Sequence, residues 1–314
     1  MREIITATNA VRVTQLAQVA CGWITQVAWS PTSNTLAVAN ATGIRLYVNS
    51  FGGAPTHNLD GHEGHVKGAA FHPSGKRLAS VSADTLVRIW DISEEPTEIM
   101  TLSGHEDSVD SVCFDHSGKR LVTASADQTV RLWDAETGAL QAMFEGHTSE
   151  VSSVTFALQG NVLVSGSWDR TLRMWDTANE TGGTLLGEHD DWVREVATNP
   201  PGTMLISASK DMTIRLWDIY AESPYAMIRG HTQGADCVAL SPDGKTLATG
   251  GRDHLVRLWD VEQIMRKREV DQSDAVATLD GHQKPIMSLA FNTKGTLLAS
   301  GSGDNTVRLW SIRD

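Results

Sequence analysis

The chain has 314 residues, 40% of them hydrophobic, with 27 Gly and only 9 Pro, a composition typical of globular proteins and not of disordered ones. Its 38 acidic residues outnumber its 26 basic ones, and the net charge of −12 disfavours general binding to nucleic acid phosphates. No run of about 18 apolar residues occurs, so no membrane span is expected, and the N-terminal MREIITATNA lacks the apolar core of a signal peptide.

The three cysteines, Cys21, Cys113 and Cys237, are odd in number and far apart, and they form no CxxC pair. That spacing favours reduced thiols over a disulfide framework or a cysteine-based zinc site. We therefore expect a cytoplasmic protein that needs no cofactor.

The first predicted strand covers about residues 11–18, because apolar and polar residues alternate from Val11 to Leu16. Two further strands are predicted at QVAWSP (26–31) and IRLYV (44–48). They lie at the spacing of two strands in the clearer pattern that follows them along the chain.

A repeated pattern begins at His62 and ends at Trp310. Each of six copies places a His 28 residues before a Trp, an Asp six residues before that Trp, and a Ser or Thr four residues before the Asp. Runs such as VRIW and VRLW alternate up to each Trp and predict strands, and four short strands fit in a period of 42 or 43 residues. The six sets are His62, Ser80, Asp84 and Trp90; His105, Thr123, Asp127 and Trp133; His147, Ser165, Asp169 and Trp175; His189, Ser207, Asp211 and Trp217; His231, Thr249, Asp253 and Trp259; and His282, Ser300, Asp304 and Trp310.

This pattern resembles the WD-repeat (WD40) family over essentially the whole chain. The resemblance implies an all-β, seven-bladed β-propeller whose blades are four-stranded antiparallel sheets. It also implies that in each set the Trp indole bonds the Ser or Thr, which bonds the His, which bonds the Asp. We expect these tetrads to be structural, because six evenly spaced copies do not make one catalytic pocket with one nucleophile. No catalytic residue is therefore expected, and no metal site either, since the chain has no HExxH motif or close His/Cys cluster.

Residues 26–48 fit the pattern as a degenerate first copy, with Tyr47 in the Trp position and Ala20 in the His position. The turn Asp is missing there, so we expect this blade to have lost its polar network. The last copy lacks an outer strand, and the strand at 11–18 is expected to supply it and close the ring, as in WD-repeat propellers. Residues 1–314 are thus predicted to form one domain, with repeats ending at Tyr47, Trp90, Trp133, Trp175, Trp217, Trp259 and Trp310.

Three tryptophans lie outside the repeat markers and the predicted core. In the resembled family, the positions three and five after the His and one before the Asp tend to face the top surface around the central channel. Carried over, they give a hypothetical binding set of Trp168, Trp192, Arg194, Lys210, Arg252 and Trp23, with His65, Lys67 and Met287 at further such positions.

Trp and Arg are enriched at binding hot spots, so this set is predicted to hold a peptide or protein segment with acidic or aromatic groups. Asp110, Glu150 and Asp236 occupy equivalent positions and oppose an acidic partner. The alternative, that all of these are ordinary surface side chains, stays open.

The link between the last two repeats is about nine residues longer than the others, and residues 261–278 are predicted as a solvated loop on the bottom face. The expected function is a non-catalytic protein–protein interaction scaffold, monomeric by itself, with proteins or peptides as partners and neither nucleic acid nor membrane. The alternative is a peptide or small-molecule sensor that uses the central channel. A propeller hydrolase is disfavoured, because no unique acid, base and nucleophile occur together.

Overall fold

The computed structural model describes residues 2–49, 51–178, 182–221 and 223–313. Its short strands form seven antiparallel sheets that follow one another along the chain. The first strand, β1 (Val13–Ala20), follows a 3-10 turn at Ala10–Arg12. Blade 1 comprises β2 (Ile24–Trp29), β3 (Thr35–Asn40), β4 (Gly43–Val48) and β5 (His57–Leu59). Blade 2 comprises β6 (Val66–Phe71), β7 (Arg77–Ser82), β8 (Val87–Asp91) and β9 (Thr97–Leu102).

The remaining blades repeat this plan. Blade 3 comprises β10 (Val109–Phe114), β11 (Arg120–Ser125), β12 (Val130–Asp134) and β13 (Leu140–Phe144). Blade 4 comprises β14 (Val151–Ala157), a 3-10 turn (Leu158–Gly160), β15 (Val162–Ser167), β16 (Thr171–Asp176) and β17 (Gly182–Glu188). Blade 5 comprises β18 (Val193–Thr198), β19 (Met204–Ser209), β20 (Ile214–Asp218) and β21 (Ser223–Arg229).

Blade 6 contains an insertion and blade 7 is completed from the other end of the chain. Blade 6 comprises β22 (Ala235–Leu240), β23 (Thr246–Gly251), β24 (Val256–Asp260) and β26 (Ala277–Leu279). The insertion between β24 and β26 contains α1 (Val261–Lys267), β25 (Glu269–Asp271) and a 3-10 turn (Gln272–Asp274). Blade 7 comprises β27 (Ile286–Phe291), β28 (Leu298–Ser302) and β29 (Thr306–Ile312).

The N-terminal strand β1 is the outer strand of blade 7. It pairs antiparallel with β29, from Val13 opposite Ile312 to Ala20 opposite Thr306. The predicted seven-bladed propeller with this ring closure is therefore confirmed. The strand begins at Val13 and not at residue 11, because Ala10–Arg12 form the 3-10 turn that leads into it.

A short arm before β1 adds a second anchor that the sequence pattern does not predict. Ile5 is fully buried in the apolar cluster between blades 6 and 7. Its main-chain N–H donates to the carbonyl of Gly295, in the β27–β28 turn, at 2.8 Å. The arm therefore fastens the ring by side-chain burial as well as by strand pairing.

The core lies between neighbouring blades and not inside any one of them. Among the described residues, each junction of two blades holds one apolar cluster. The repeat Trp of one blade packs against the preceding blade, as Trp217 packs against Leu172 and Leu186. The second strand of each blade is almost entirely buried.

The insertion is not the solvated bottom-face loop that the sequence predicts. Asp260 caps α1 by accepting from the Glu262 N–H, and Ile264 of the helix is buried. Strand β25 then pairs in parallel with β21, with Val270 opposite Ile228, as a fifth strand on blade 5. The apolar side chains of Ile264 and Val270 explain the difference, because they bury themselves by covering an exposed sheet edge. Among the helices described, none has the length and apolar character needed to cross a membrane.

Candidate binding surface on the top face

We call top the face of the ring that carries the loops after each repeat His and the turns that hold each repeat Asp. The opposite face, with the turns between the first and second strands of each blade, is the bottom. The tetrads lie directly beneath the top face and set the shape of its loops.

In each of the six repeats the tetrad forms a continuous hydrogen-bonded line. In blade 5, Trp217 Nε1 donates to Ser207 Oγ at 2.8 Å, and Ser207 Oγ lies 2.7 Å from His189 Nε2. His189 Nδ1 lies 2.8 Å from Asp211 Oδ2. The corresponding distances in the other repeats are all between 2.7 and 2.9 Å.

A further serine, which the sequence reasoning missed, holds the turn Asp from its other side. Ser209 Oγ accepts from the Asp211 N–H at 3.0 Å and donates to the Asp191 carbonyl at 3.1 Å. The signal is present in the sequence, since Ser stands two residues before the Asp in five of the six repeats. The main-chain N–H of each such Asp also finds its acceptor in this serine: Ser82, Ser125, Ser167, Ser209 and Ser302.

The tetrads keep their carboxylates ionised and keep both ring nitrogens of each imidazole hydrogen-bonded. Burial opposes ionisation of Asp253, but the hydrogen bond from His231 and the nearby Arg257 outweigh it and lower the pKa of Asp253 to about 2. Burial also lowers the pKa of His189, against the opposing effect of Asp211. Each His has both ring nitrogens bonded within its tetrad, so none is poised as a general base for a substrate.

The prediction that blade 1 lacks a polar network is wrong in part. Asn40 Oδ1 accepts from the N–H groups of Thr42 at 2.9 Å and Gly43 at 3.1 Å, while its Nδ2 donates to the Cys21 carbonyl at 2.6 Å. Cys21 Sγ lies 3.1 Å from Tyr47 Oη. The amide of Asn40 thus makes the main-chain hydrogen bonds of this turn in place of the missing Asp, because one Asn can both accept and donate.

Trp168 and Trp192 form a stacked pair on the top face, which we call the indole pair. Their ring centroids are 4.3 Å apart and the rings are within 3° of parallel. Trp168 lies in the turn between β15 and β16 of blade 4, and Trp192 precedes β18 of blade 5. The pair therefore bridges two blades, and both side chains are half-buried.

Two of the predicted cations contact the indole pair. Lys210 Nζ lies 4.1 Å from the centroid of the Trp192 ring, and Arg194 Cζ lies 5.1 Å from that centroid and 5.4 Å from the Trp168 centroid. These distances are typical of cation–π contacts. Four of the six hypothetical binding residues are thus brought together.

The other two members of the hypothetical set lie apart from the indole pair. Arg252 Nε lies 3.1 Å from Asp236 Oδ2, and Asp236 also faces Arg194 at 3.5 Å. Trp23 lies on blade 1, where its ring packs over Gly303 of blade 7 and 47% of the side chain is exposed. Arg252 is therefore joined to the pair through Asp236, whereas Trp23 is not.

The central channel opens beside this surface and is narrow and polar. Its cavity of about 110 Å³ is lined by the fifth residue after the His position in every blade: Thr25, Lys67, Asp110, Ser152, Arg194, Asp236 and Met287. Such a volume accommodates a few waters or one side chain, well below the roughly 300–1,000 Å³ of pockets for drug-sized ligands. In the described part of the chain, no three or more His, Cys, Asp or Glu residues are grouped so as to hold a metal ion.

Acidic groups at the channel are held partly protonated. Burial, helped by the neighbouring Asp110 carboxylate, raises the pKa of Glu150 to about 7, against the attraction of Lys67 and Arg194. Deeper in the channel, burial raises the pKa of Glu195 to about 8, although its Oε2 accepts from the Val238 N–H at 2.8 Å. The charge around the mouth of the central channel, which we call the rim, therefore changes within the physiological pH range.

Glu150→Gln is expected to stabilise the protein much more at pH 8 than at pH 5. Because the pKa of Glu150 is raised in the folded state, the favourable effect of its proton is complete below the ordinary Glu pKa and is lost as pH rises through about 7. The melting temperatures of the variant and the wild type at the two pH values test this. A difference between them that is equal at pH 5 and pH 8 would contradict it.

The comparison with protein families agrees with the architecture. A family model described as WD domain, G-beta repeat matches residues 53–91, 96–134, 138–176, 181–218, 222–260 and 273–311. The chain belongs to this WD-repeat family. Each matched WD repeat ends one residue after a tetrad Trp, and β2, β3 and β4 of the degenerate blade 1 lie outside the matched segments.

Relatives share individual WD repeats with this chain. A segment of 43 residues is 54% identical to Periodic tryptophan protein 2 homolog of Schizosaccharomyces pombe, covering 14% of this chain and 5% of that protein. Another 43 residues are 49% identical to Nuclear distribution protein nudF of Aspergillus terreus, covering 14% and 10%. A segment of 64 residues is 39% identical to Target of rapamycin complex subunit wat1 of Schizosaccharomyces pombe, covering 20% of each chain. These matches cover a fifth or less of the relatives' own length.

Proposed function

We propose that this WD-repeat protein is a non-catalytic interaction scaffold that binds a protein or peptide segment on its top face at the indole pair. The observation that carries the proposal is the stack of Trp168 and Trp192 across two blades, with Arg194 and Lys210 against it. Flat, rigid aromatic side chains flanked by basic groups are the side chains that contribute most to protein interfaces.

The rigid ring supports this role. The indole pair is carried by loops whose ends are fixed by the tetrads of blades 4 and 5. A surface that is already ordered loses little conformational entropy when a partner binds. One of the matched relatives is named as a subunit of the target of rapamycin complex, which is consistent with a scaffold.

The tetrads support a non-catalytic role. Their hydroxyl, imidazole and carboxylate groups are buried and bonded to one another in every repeat, so none of them is available to a substrate. The three cysteines of the chain are all free thiols. Because free thiols are typical of cytosolic proteins, the proposal includes a cytoplasmic location. It also includes a monomeric state for the protein without its partner.

The alternative of a small-molecule or peptide sensor has less support. The central channel offers only about 110 Å³. A larger cleft of about 510 Å³ lies on the bottom face between blades 7 and 1, lined by exposed turn residues such as Asn34 and Lys294. That cleft has the volume of a ligand pocket, but it has no aromatic side chain to anchor a partner.

The double substitution Trp168→Ala with Trp192→Ala is expected to reduce partner recovery at least tenfold, since truncating a hot spot costs about 2 kcal/mol or more. Partners are measured by quantitative mass spectrometry of proteins that co-purify with the full-length chain. The ring should stay folded, because neither indole belongs to the apolar clusters between the blades, and the melting temperature of the variant checks this.

Tyr220→Ala is the matched control, because Tyr220 is a more exposed aromatic, 72% accessible, in the loop after β20. It should leave recovery unchanged. If the double variant, the control and the wild type all recover partners equally, the proposed surface is wrong.

A further inference from the structure

A cation lies on one outer face of the indole pair, whereas no described ring or cation lies on the other. Lys210 lies 4.1 Å from the Trp192 centroid and makes no comparable contact with Trp168, so it covers the side of Trp192 away from its partner ring. Arg194 is nearly equidistant from the two centroids, which are only 4.3 Å apart, so it lies beside the stack. Among the described residues, no ring or cation lies on the outer face of Trp168.

The cations around this surface are already engaged. Lys67 Nζ lies 3.4 Å from Asp110, and Lys210 Nζ lies 3.3 Å from Asp191. Arg194 and Arg252 share Asp236. An acidic partner would have to displace these carboxylates, which argues against the acidic segment that the sequence suggests.

Glu150 is the rim carboxylate without an ion pair within the described ranges. It lies in the loop that precedes β14, beside the turn that carries Trp168, whose N–H donates to the Glu150 carbonyl at 2.9 Å. Its carboxyl group lies against that of Asp110, and the Oδ2 atom of Asp110 is buried with no hydrogen-bond donor. Two neighbouring carboxyl groups carry either a shared proton or, when both ionise, a local excess of negative charge.

We propose that the surface takes a cationic side chain of the partner, an Arg or a Lys, which lies on the outer face of Trp168 and pairs with Glu150. This inference rests on the proposed function and specifies its partner as a segment with an exposed basic residue. The molecule already contains the same arrangement once, since Lys210 lies on Trp192 and pairs with Asp191. Binding would complete a ladder of Lys210, Trp192, Trp168 and the incoming cation.

Binding by this mode is coupled to a proton. Below pH 7 the Glu150 carboxyl group is largely protonated, so the incoming cation displaces that proton to solvent. Above pH 7 no proton needs to leave and binding is tighter. The groups that face Glu150 are Asp110, Lys67 and Arg194, of which the two cations weaken the effect without cancelling it.

The probe is the peptide acetyl-Gly-Ala-Arg-Ala-Gly-amide, titrated into the full-length protein at up to 20 mM. Matched peptides carry norleucine or Glu in place of the Arg. The readout is the NMR signal of the Trp168 indole N–H, assigned by its loss in Trp168→Phe.

We expect the Arg peptide to shift this signal to saturation, and the norleucine and Glu peptides to shift it at least tenfold less at equal concentration. Glu150→Gln should weaken Arg-peptide binding roughly tenfold and should remove most of its change in affinity between pH 5.5 and 7. Glu94→Gln, an exposed carboxylate on the β8–β9 loop, should change nothing.

The inference is overturned if no peptide shifts the signal, if the Glu peptide binds as tightly as the Arg peptide, or if Glu150→Gln binds like the wild type. These outcomes leave the proposed function standing when partner recovery still depends on the indole pair. If recovery does not depend on the indole pair, the proposed function itself is wrong.

Discussion

Deletion of residues 2–18 is expected to abolish the folded ring at physiological temperature. It would leave blade 7 with three strands, remove most of the pairing of β1 with β29, and empty the site of Ile5 between blades 6 and 7. Burying one large aliphatic side chain is worth roughly 1.5–3 kcal/mol, and whole domains are stable by only about 5–15 kcal/mol. The deletion removes several such side chains and exposes an edge of blade 7. The free energy lost is therefore comparable to the total free energy of unfolding.

Circular dichroism melting of the deletion variant beside two point variants tests this expectation. Ile5→Ala should cost about 2–5 kcal/mol, because it leaves a cavity in a closed core. Val11→Ser should cost nothing measurable, since Val11 is 78% exposed in the same segment. A deletion variant that melts within a few degrees of the wild type would contradict closure by the N-terminal strand as a source of stability.

Asp211→Ala is expected to destabilise the protein by about 3–5 kcal/mol. Asp211 accepts from His189, from the N–H groups of Asp190 and Thr213, and from Arg215. Alanine leaves the His189 imidazole and the Thr213 N–H without this acceptor beneath the top face, and each orphaned buried group costs about 1–3 kcal/mol. Denaturant unfolding measures the loss.

Asp190→Ala is the control for this variant. Asp190 pairs with the same arginine, Arg215, at 3.3 Å, but it is 89% exposed, and exposed ion pairs contribute about 0–1 kcal/mol. Equal effects of the two substitutions would show that the tetrad is not a major source of stability. Blade 1, where Asn40 replaces the Asp, indicates that the ring tolerates one weaker network.

The architecture could be read from the sequence because its signal is repeated. A single His–Asp–Trp spacing carries little information, but six identical spacings fix the period, the strand count and the blade boundaries. The same logic fails where the pattern is interrupted. Residues 261–278 occur once, so the chain offers no second copy to show that Ile264 and Val270 would cover the edge of blade 5.

The candidate surface was predictable in its membership and not in its geometry. Position relative to the His and the Asp brings Trp168 and Trp192 to the top face, yet nothing in the spacing shows that rings from adjacent blades stack. The ion pairs were harder still to predict, since they depend on which side chains meet across blades. Asp236 pairs with both Arg194 and Arg252, and Glu150 forms no ion pair with any described residue, because of how the top-face side chains are arranged in three dimensions.

Hydrogen–deuterium exchange of the protein with a co-purified partner shows directly whether partners dock on the top face at the indole pair. We expect slower exchange on binding at main-chain amides near residues 165–170 and 190–194, next to Trp168 and Trp192, with no change in the bottom-face turn at 293–296. Protection confined to the bottom-face turns or to the outer strands, with the top-face loops exchanging as in the free protein, would contradict docking at the indole pair.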